Sequence, residues 1–214
     1  MKRVIEILSL LLLSGGVVIP PIQVQATQVA QSVQGSTLED AEQLAQQATE
    51  YKDQGNYSAA IPLAEESLRI RRQLLSNDDP LLATSLNNLG LLYLNQGRYE
   101  EAEPLFLQTL ELDKKLLGPE HPDIATSLNN LAGVYLNQGR YEEAEPLFLQ
   151  ALELKKKLLG PEHPDVAQSL NNLAGFYLSQ GRYEEAEPLY LQALELRKKL
   201  LGPEHPYVAT SLKG

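Results

Sequence analysis

The 214-residue chain contains no cysteine, no tryptophan and a single methionine. The missing thiols remove disulfides, thiolate metal sites and cysteine nucleophiles together. Positive charge is also scarce. Lys and Arg number 18 against 28 Asp and Glu, for a formal charge of −10, which argues against general nucleic-acid binding, since that depends on cations displacing phosphate counterions. No stretch alternates as a half-buried strand would. The composition is otherwise globular, with 43% hydrophobic and 21% charged residues.

Residues 1–26 read as an export signal. Lys2 and Arg3 precede an apolar run, Ile7–Ile19, and Val24-Gln25-Ala26 places small residues where a signal peptidase cuts. At about 1.5 Å per residue the run reaches roughly 20 Å, short of the ~30 Å hydrocarbon core, so no stable membrane span is expected. The expected location is periplasmic or extracellular. Glu6 beside the apolar run keeps open an uncleaved membrane anchor or a misassigned start. Residues 27–37, rich in Gln and Ser, form a polar linker without helical periodicity.

The remainder, 38–214, copies itself every 42 residues. Asn87-Asn88, Asn129-Asn130 and Asn171-Asn172 keep that step, as do Gly97, Gly139 and Gly181, and His121, His163 and His205. Segments 83–124 and 125–166 differ at six positions, and 125–166 and 167–208 at six more. A diverged first copy carries Tyr51-Lys52-Asp53-Gln54-Gly55-Asn56-Tyr57 two periods before Tyr135–Tyr141. The units are about 38–82, 83–124, 125–166 and 167–208, followed by a truncated helix to 214. A fixed period of this size indicates a stacked array.

Each copy encodes two helices. In the third, Leu128, Leu131, Ala132 and Tyr135 form one amphipathic stripe, and Gln138-Gly139-Arg140 ends it. The second helix presents Ala144, Leu147, Phe148, Ala151, Leu158 and Leu159 on its apolar stripe. Glu142 and Glu143 open it and Lys155, Lys156 and Lys157 close it, as the macrodipole prefers. Pro146 falls near enough to the start for the helix to continue through it. Gly160-Pro161-Glu162-His163-Pro164 links one unit to the next, with Pro164 suited to a first helical turn.

The run Leu-Asn-Asn-Leu-Ala-Gly-x-Tyr-Leu-x-Gln-Gly-Arg-Tyr-Glu-Glu-Ala-Glu-Pro-Leu resembles the tetratricopeptide repeat, in the 42-residue form of kinesin light chains. Gly90, Ala132 and Ala174 match its small positions in the first helix, and Ala60, Ala102, Ala144 and Ala186 match those at the helix crossing. Tyr51, Tyr93, Tyr135 and Tyr177 match its tyrosine, and Phe106, Phe148 and Tyr190 its large aromatic, which Ala64 replaces in the first copy. The Trp often found early in the 34-residue form is Leu44, Leu86, Leu128 and Leu170 here. The resemblance implies an all-α fold, a right-handed superhelical solenoid of helix-turn-helix units, and a concave groove that binds other proteins.

No catalytic site, cofactor or metal site is expected. The histidines lie one per repeat, spaced by roughly 10 Å of helix packing, whereas zinc needs its donors about 2 Å from one ion. Adjacent Glu142 and Glu143 point apart, and no Ser or Thr has the partners of a nucleophile triad. The side of the first helices opposite the apolar stripe is the candidate binding face. It carries Thr84, Asn87, Leu91, Leu94 and Asn95, then Thr126, Asn129, Gly133, Leu136 and Asn137, then Gln168, Asn171, Gly175, Leu178 and Ser179. A ladder of carboxamides can donate to and accept from an extended backbone. The same Asn residues could instead solvate the face or bond between repeats, and Asn88, Asn130 and Asn172 are assigned the structural role.

The expected function is a non-enzymatic scaffold holding a peptide segment of a partner in this groove. Two alternatives are an architectural or self-assembling array, and the regulatory region of a larger enzyme. Self-association through 183–214 is a further expectation.

Overall fold

The computed structural model describes residues 36–202, so the export-signal reading of 1–26, most of the linker and the truncated helix after Gly202 lie outside them. Among the described residues eight helices run in order: α1 (Leu38–Asp53), α2 (Tyr57–Leu74), α3 (Pro80–Asn95), α4 (Tyr99–Leu117), α5 (Pro122–Asn137), α6 (Tyr141–Leu159), α7 (Pro164–Ser179) and α8 (Tyr183–Leu201). There is no strand among the described residues. Each odd-numbered helix packs on the even one that follows, and that one on the next pair. The architecture is an all-α repeat solenoid. Odd helices also touch across repeats, α3 with α5 and α5 with α7, which sets them on its inner side.

Local chemistry explains the boundaries. Pro80, Pro122 and Pro164 open α3, α5 and α7, where a missing N–H costs nothing. The side chain just before each proline caps the helix. Asp79 Oδ1 accepts from Leu81 N at 2.9 Å, and His121 and His163 do the same through Nδ1, from Asp123 N at 3.2 Å and Asp165 N at 3.1 Å. His121 and His163 are thus helix caps. Gly139 ends α5 at φ 74° and Gly160 ends α6 at φ 86°, ψ 154°, conformations that a Cβ would strain. Helix α6 continues through Pro146, as do the other even helices through Pro62, Pro104 and Pro188.

One core runs through the stack. Ala60, Ala102 and Ala144 are fully buried in it, and Ala186 nearly so. Phe106 and Phe176 are fully buried too, each stabilising by about 1.5–3 kcal/mol on removal from water. Phe176 contacts Phe148 and Tyr177 with ring centroids 5.6 and 5.5 Å apart, joining α6 to α7. At Gly90 the fit is closest: a Cβ there would stand 2.9 Å from the Phe106 ring.

Arginines stitch consecutive repeats at the far end of the odd helices. Arg140 lies 4.0 Å over the Tyr135 ring and donates to Glu103 of the preceding repeat and Glu143 of its own, both at 2.7 Å. Arg182 repeats this over Tyr177 with Glu145 at 2.9 Å and with Glu185. Arg98 has Tyr93 and Glu101, but Ile61 stands where the preceding-repeat Glu would be.

Candidate interaction groove

The inner face is built by α3, α5 and α7, and its two hollows are floored by residues of α2 and α4. Thr84, Thr126 and Gln168 recur at the repeat period and are exposed. Thr84, Asn87 and Thr126 line one hollow of about 310 Å³, together with Thr109, Asp113 and Leu116 of α4 and Asp123 of α5. A second, narrower hollow lies one step earlier between α1, α2 and α3, lined by Thr49, Lys52, Arg71, Ser85 and Asn88.

The asparagines divide differently from the expectation. Asn129, expected on the open face, is buried at 8% exposure because α7 covers it, and its Nδ2 donates to Ser169 Oγ at 3.3 Å. Its Oδ1 is buried without a hydrogen-bond partner. Asn87 is half-buried and accepts from Asn130 Nδ2 at 2.8 Å, across α3 and α5. Asn95 and Asn137 are exposed and bond their own helix, donating to Leu91 O and Gly133 O at 2.7 Å. Leu91 and Asn171 are half-buried. Asn88, assigned a structural role in the sequence, is exposed and lines the narrower hollow. Asn172 accepts from Gln168 at 2.8 Å.

Sequence reasoning missed a charged position beneath this face. Asp113 is 7% exposed and Lys155 6%, although Lys155 reads in the sequence as part of the basic helix end. Burial raises the Asp113 carboxyl, opposed by the hydrogen bond from Ser127 Oγ at 2.6 Å and reinforced by Asp123. The signal was visible, since 113 and 155 are among the six differences between those two copies. On the outer face, Lys115, Lys157 and Lys199 reach back to Asp78, Glu120 and Glu162 at 2.5 Å; such exposed pairs contribute little to stability.

No group of three or more His, Asp or Glu among the described residues is placed to hold a metal ion, and no described helix is long and apolar enough to cross a membrane. Helix α8 exposes Tyr183, Leu191 and Leu200.

A helix-pair solenoid with a polar, hollowed inner face belongs to the class of protein-interaction scaffolds. Profiles of the tetratricopeptide repeat match residues 48–115, 81–157 and 123–175, and a further one matches 166–207. The chain belongs to the tetratricopeptide repeat family, in its kinesin-light-chain-like form. It is similar to the solved structure of a putative kinesin light chain from Podosopora anserina with nearly identical repeats, at 29% identity, TM-score 0.68, covering 83% of this chain and 84% of that one. It is also similar to BtubC (BKLC) from P. vanneervenii, at 25% identity, TM-score 0.69, covering 83% and 70%. A Rap protein solved in complex with Competence and Sporulation Factor shares the fold at 16% identity, TM-score 0.70, over 91% of this chain and 52% of that one. Among curated protein sequences none matches.

Proposed function

We propose that this protein is an exported, non-enzymatic scaffold whose inner face holds an extended segment of a partner protein. The observation that carries the reading is the recurrence of exposed Thr84, Thr126 and Gln168 at the repeat period along α3, α5 and α7, above a hollow floored by α4. An extended segment advances about 3.3–3.6 Å per residue, so roughly three residues cover one repeat's ~10 Å of helix packing. The exposed side chains, rather than Asn129, are the contacts. The test is capture from cell-envelope extract with the intact chain and with the triple variant Thr84→Arg, Thr126→Arg, Gln168→Ala. A partner held by the first and lost by the second supports the reading; equal retention refutes it.

Self-association is a second reading, favoured by the exposed Tyr183, Leu191 and Leu200 of α8. Sedimentation of the chain and of Leu191→Glu decides it: concentration-dependent dimers abolished by the substitution support it, and a strict monomer in both refutes it.

A further inference from the structure

One position near the end of every second helix is charged in all four copies, and its sign changes. Arg71, Asp113, Lys155 and Arg197 stand 42 residues apart. Each cation has an acceptor on an odd helix. Arg71 donates to Ser85 at 2.7 Å and pairs with Glu42 of α1. Lys155 Nζ lies 3.8 Å from Asp165, and Arg197 donates to Gln168 at 3.3 Å.

The step between α4 and α5 differs. Asp113 replaces the cation, and the residue equivalent to Asp165 is Asp123. Two carboxylates therefore line a hollow at the place where the next repeat has an ion pair. Burial and then Asp123 disfavour ionised Asp113, against the hydrogen bond from Ser127 Oγ and the nearby His121, whose Nδ1 caps α5 and stands 3.7 Å from Asp123. The hollow, about 310 Å³, opens beside Thr84, Asn87 and Thr126 on the inner face. A buried carboxylate with a like-charged neighbour is stabilised by any cation that reaches it.

We propose that this hollow receives the cationic side chain of a Lys or Arg in the bound segment, supplying to Asp113 and Asp123 the charge that Lys155 supplies to Asp165 one repeat later. The inference rests on the groove reading above and adds the chemistry of one partner residue. Since Arg71 and Lys155 already fill the equivalent places on either side, the requirement falls at this one of the three steps.

The test pans a random sixteen-residue peptide library, displayed on phage, against the full chain. Enriched peptides are then measured by fluorescence anisotropy. They are expected to carry a Lys or Arg whose replacement by Met weakens binding tenfold or more to the wild type and little to Asp113→Lys. That variant should also melt at or above the wild-type temperature, because it recreates the ion pair of the following repeat, so lost binding cannot be ascribed to lost structure. Asp113→Asn, nearly isosteric, is the second variant and should lose the same preference. Peptides displaced by Thr126→Trp but indifferent to their own Lys or Arg and to Asp113 would overturn this inference and leave the groove reading standing. Peptides indifferent to Thr126→Trp, or no enrichment, would overturn both.

Discussion

Asn130 donates its carboxamide N–H to the Asn87 carboxamide oxygen at 2.8 Å, tying α5 to α3 one repeat earlier. The pair is a strut between repeats on the face expected to bind a ligand. Asn87→Ala should therefore cost about 0.5–1.5 kcal/mol, as loss of a net hydrogen bond does. A double-mutant cycle with Asn130→Ala should show coupling of about 0.5 kcal/mol or more. Denaturant melts of the four proteins measure it. Additive single effects would show that the two amides act independently.

Asn129→Ala should be much gentler than its burial suggests. The substitution loses the 3.3 Å bond to Ser169 but also removes a buried carbonyl that has no partner. A stability change within about 0.5 kcal/mol is expected from these opposed contributions. A drop beyond 2 kcal/mol would mean that Asn129 Oδ1 is held by a group such as an ordered water.

Ala144 of α6 is fully buried in the core. Ala144→Leu forces a larger side chain into it and should destabilise by about 1–3 kcal/mol. Hydrogen exchange should quicken first in α5 to α7, because repeats couple through their neighbours. Unchanged melting would place residue 144 outside the packed core.

Acid should act on the repeats in two directions. Glu145 is held below the ordinary carboxylate range, chiefly by its hydrogen bond from Arg182. Its folded pKa is depressed, so its contribution is present at neutral pH and fades as pH falls through that value. Asp113 is raised, chiefly by burial. Its ionisation opposes folding, so its penalty appears as pH climbs past the unfolded carboxylate pKa of about 3.9. Melting temperatures followed from pH 3 to 7 should place Asp113→Asn above the wild type at neutral pH, with the gap closing in acid, and Glu145→Gln below it, also converging in acid. Displacements of the same sign at neutral pH would contradict this assignment.

Much of the fold was legible in the sequence, because a 42-residue copy repeats its own evidence. The Leu128–Tyr135 stripe, the closing Gly139 and the tolerated Pro146 each had a local cause that tertiary packing left unchanged. The groove was less legible. Asn129 lies opposite its own helix's apolar stripe, yet α7 covers it, and no single-helix projection contains the neighbouring helix. Asp113 was visible as a difference between copies. Its meaning depended on Asp123 and Asp165 occupying the facing helix, which is a relation between repeats.

Export makes a separate prediction. If Val24-Gln25-Ala26 ends a cleaved signal, the secreted protein begins near Thr27. Intact-mass measurement of protein from the cell envelope or medium checks this, and recovery of a chain still starting at Met1 or Lys2 would replace cleavage with anchoring.

The most direct measurement of the central claim is amide chemical-shift mapping of the full chain with a peptide enriched from the random library. Binding to the inner face should shift Thr84, Asn87, Thr126 and Gln168 while leaving Glu111, Lys115 and Glu153 on the outer surface unmoved. Shifts gathered on the outer surface, with Thr84, Thr126 and Gln168 unchanged at saturation, would contradict the account.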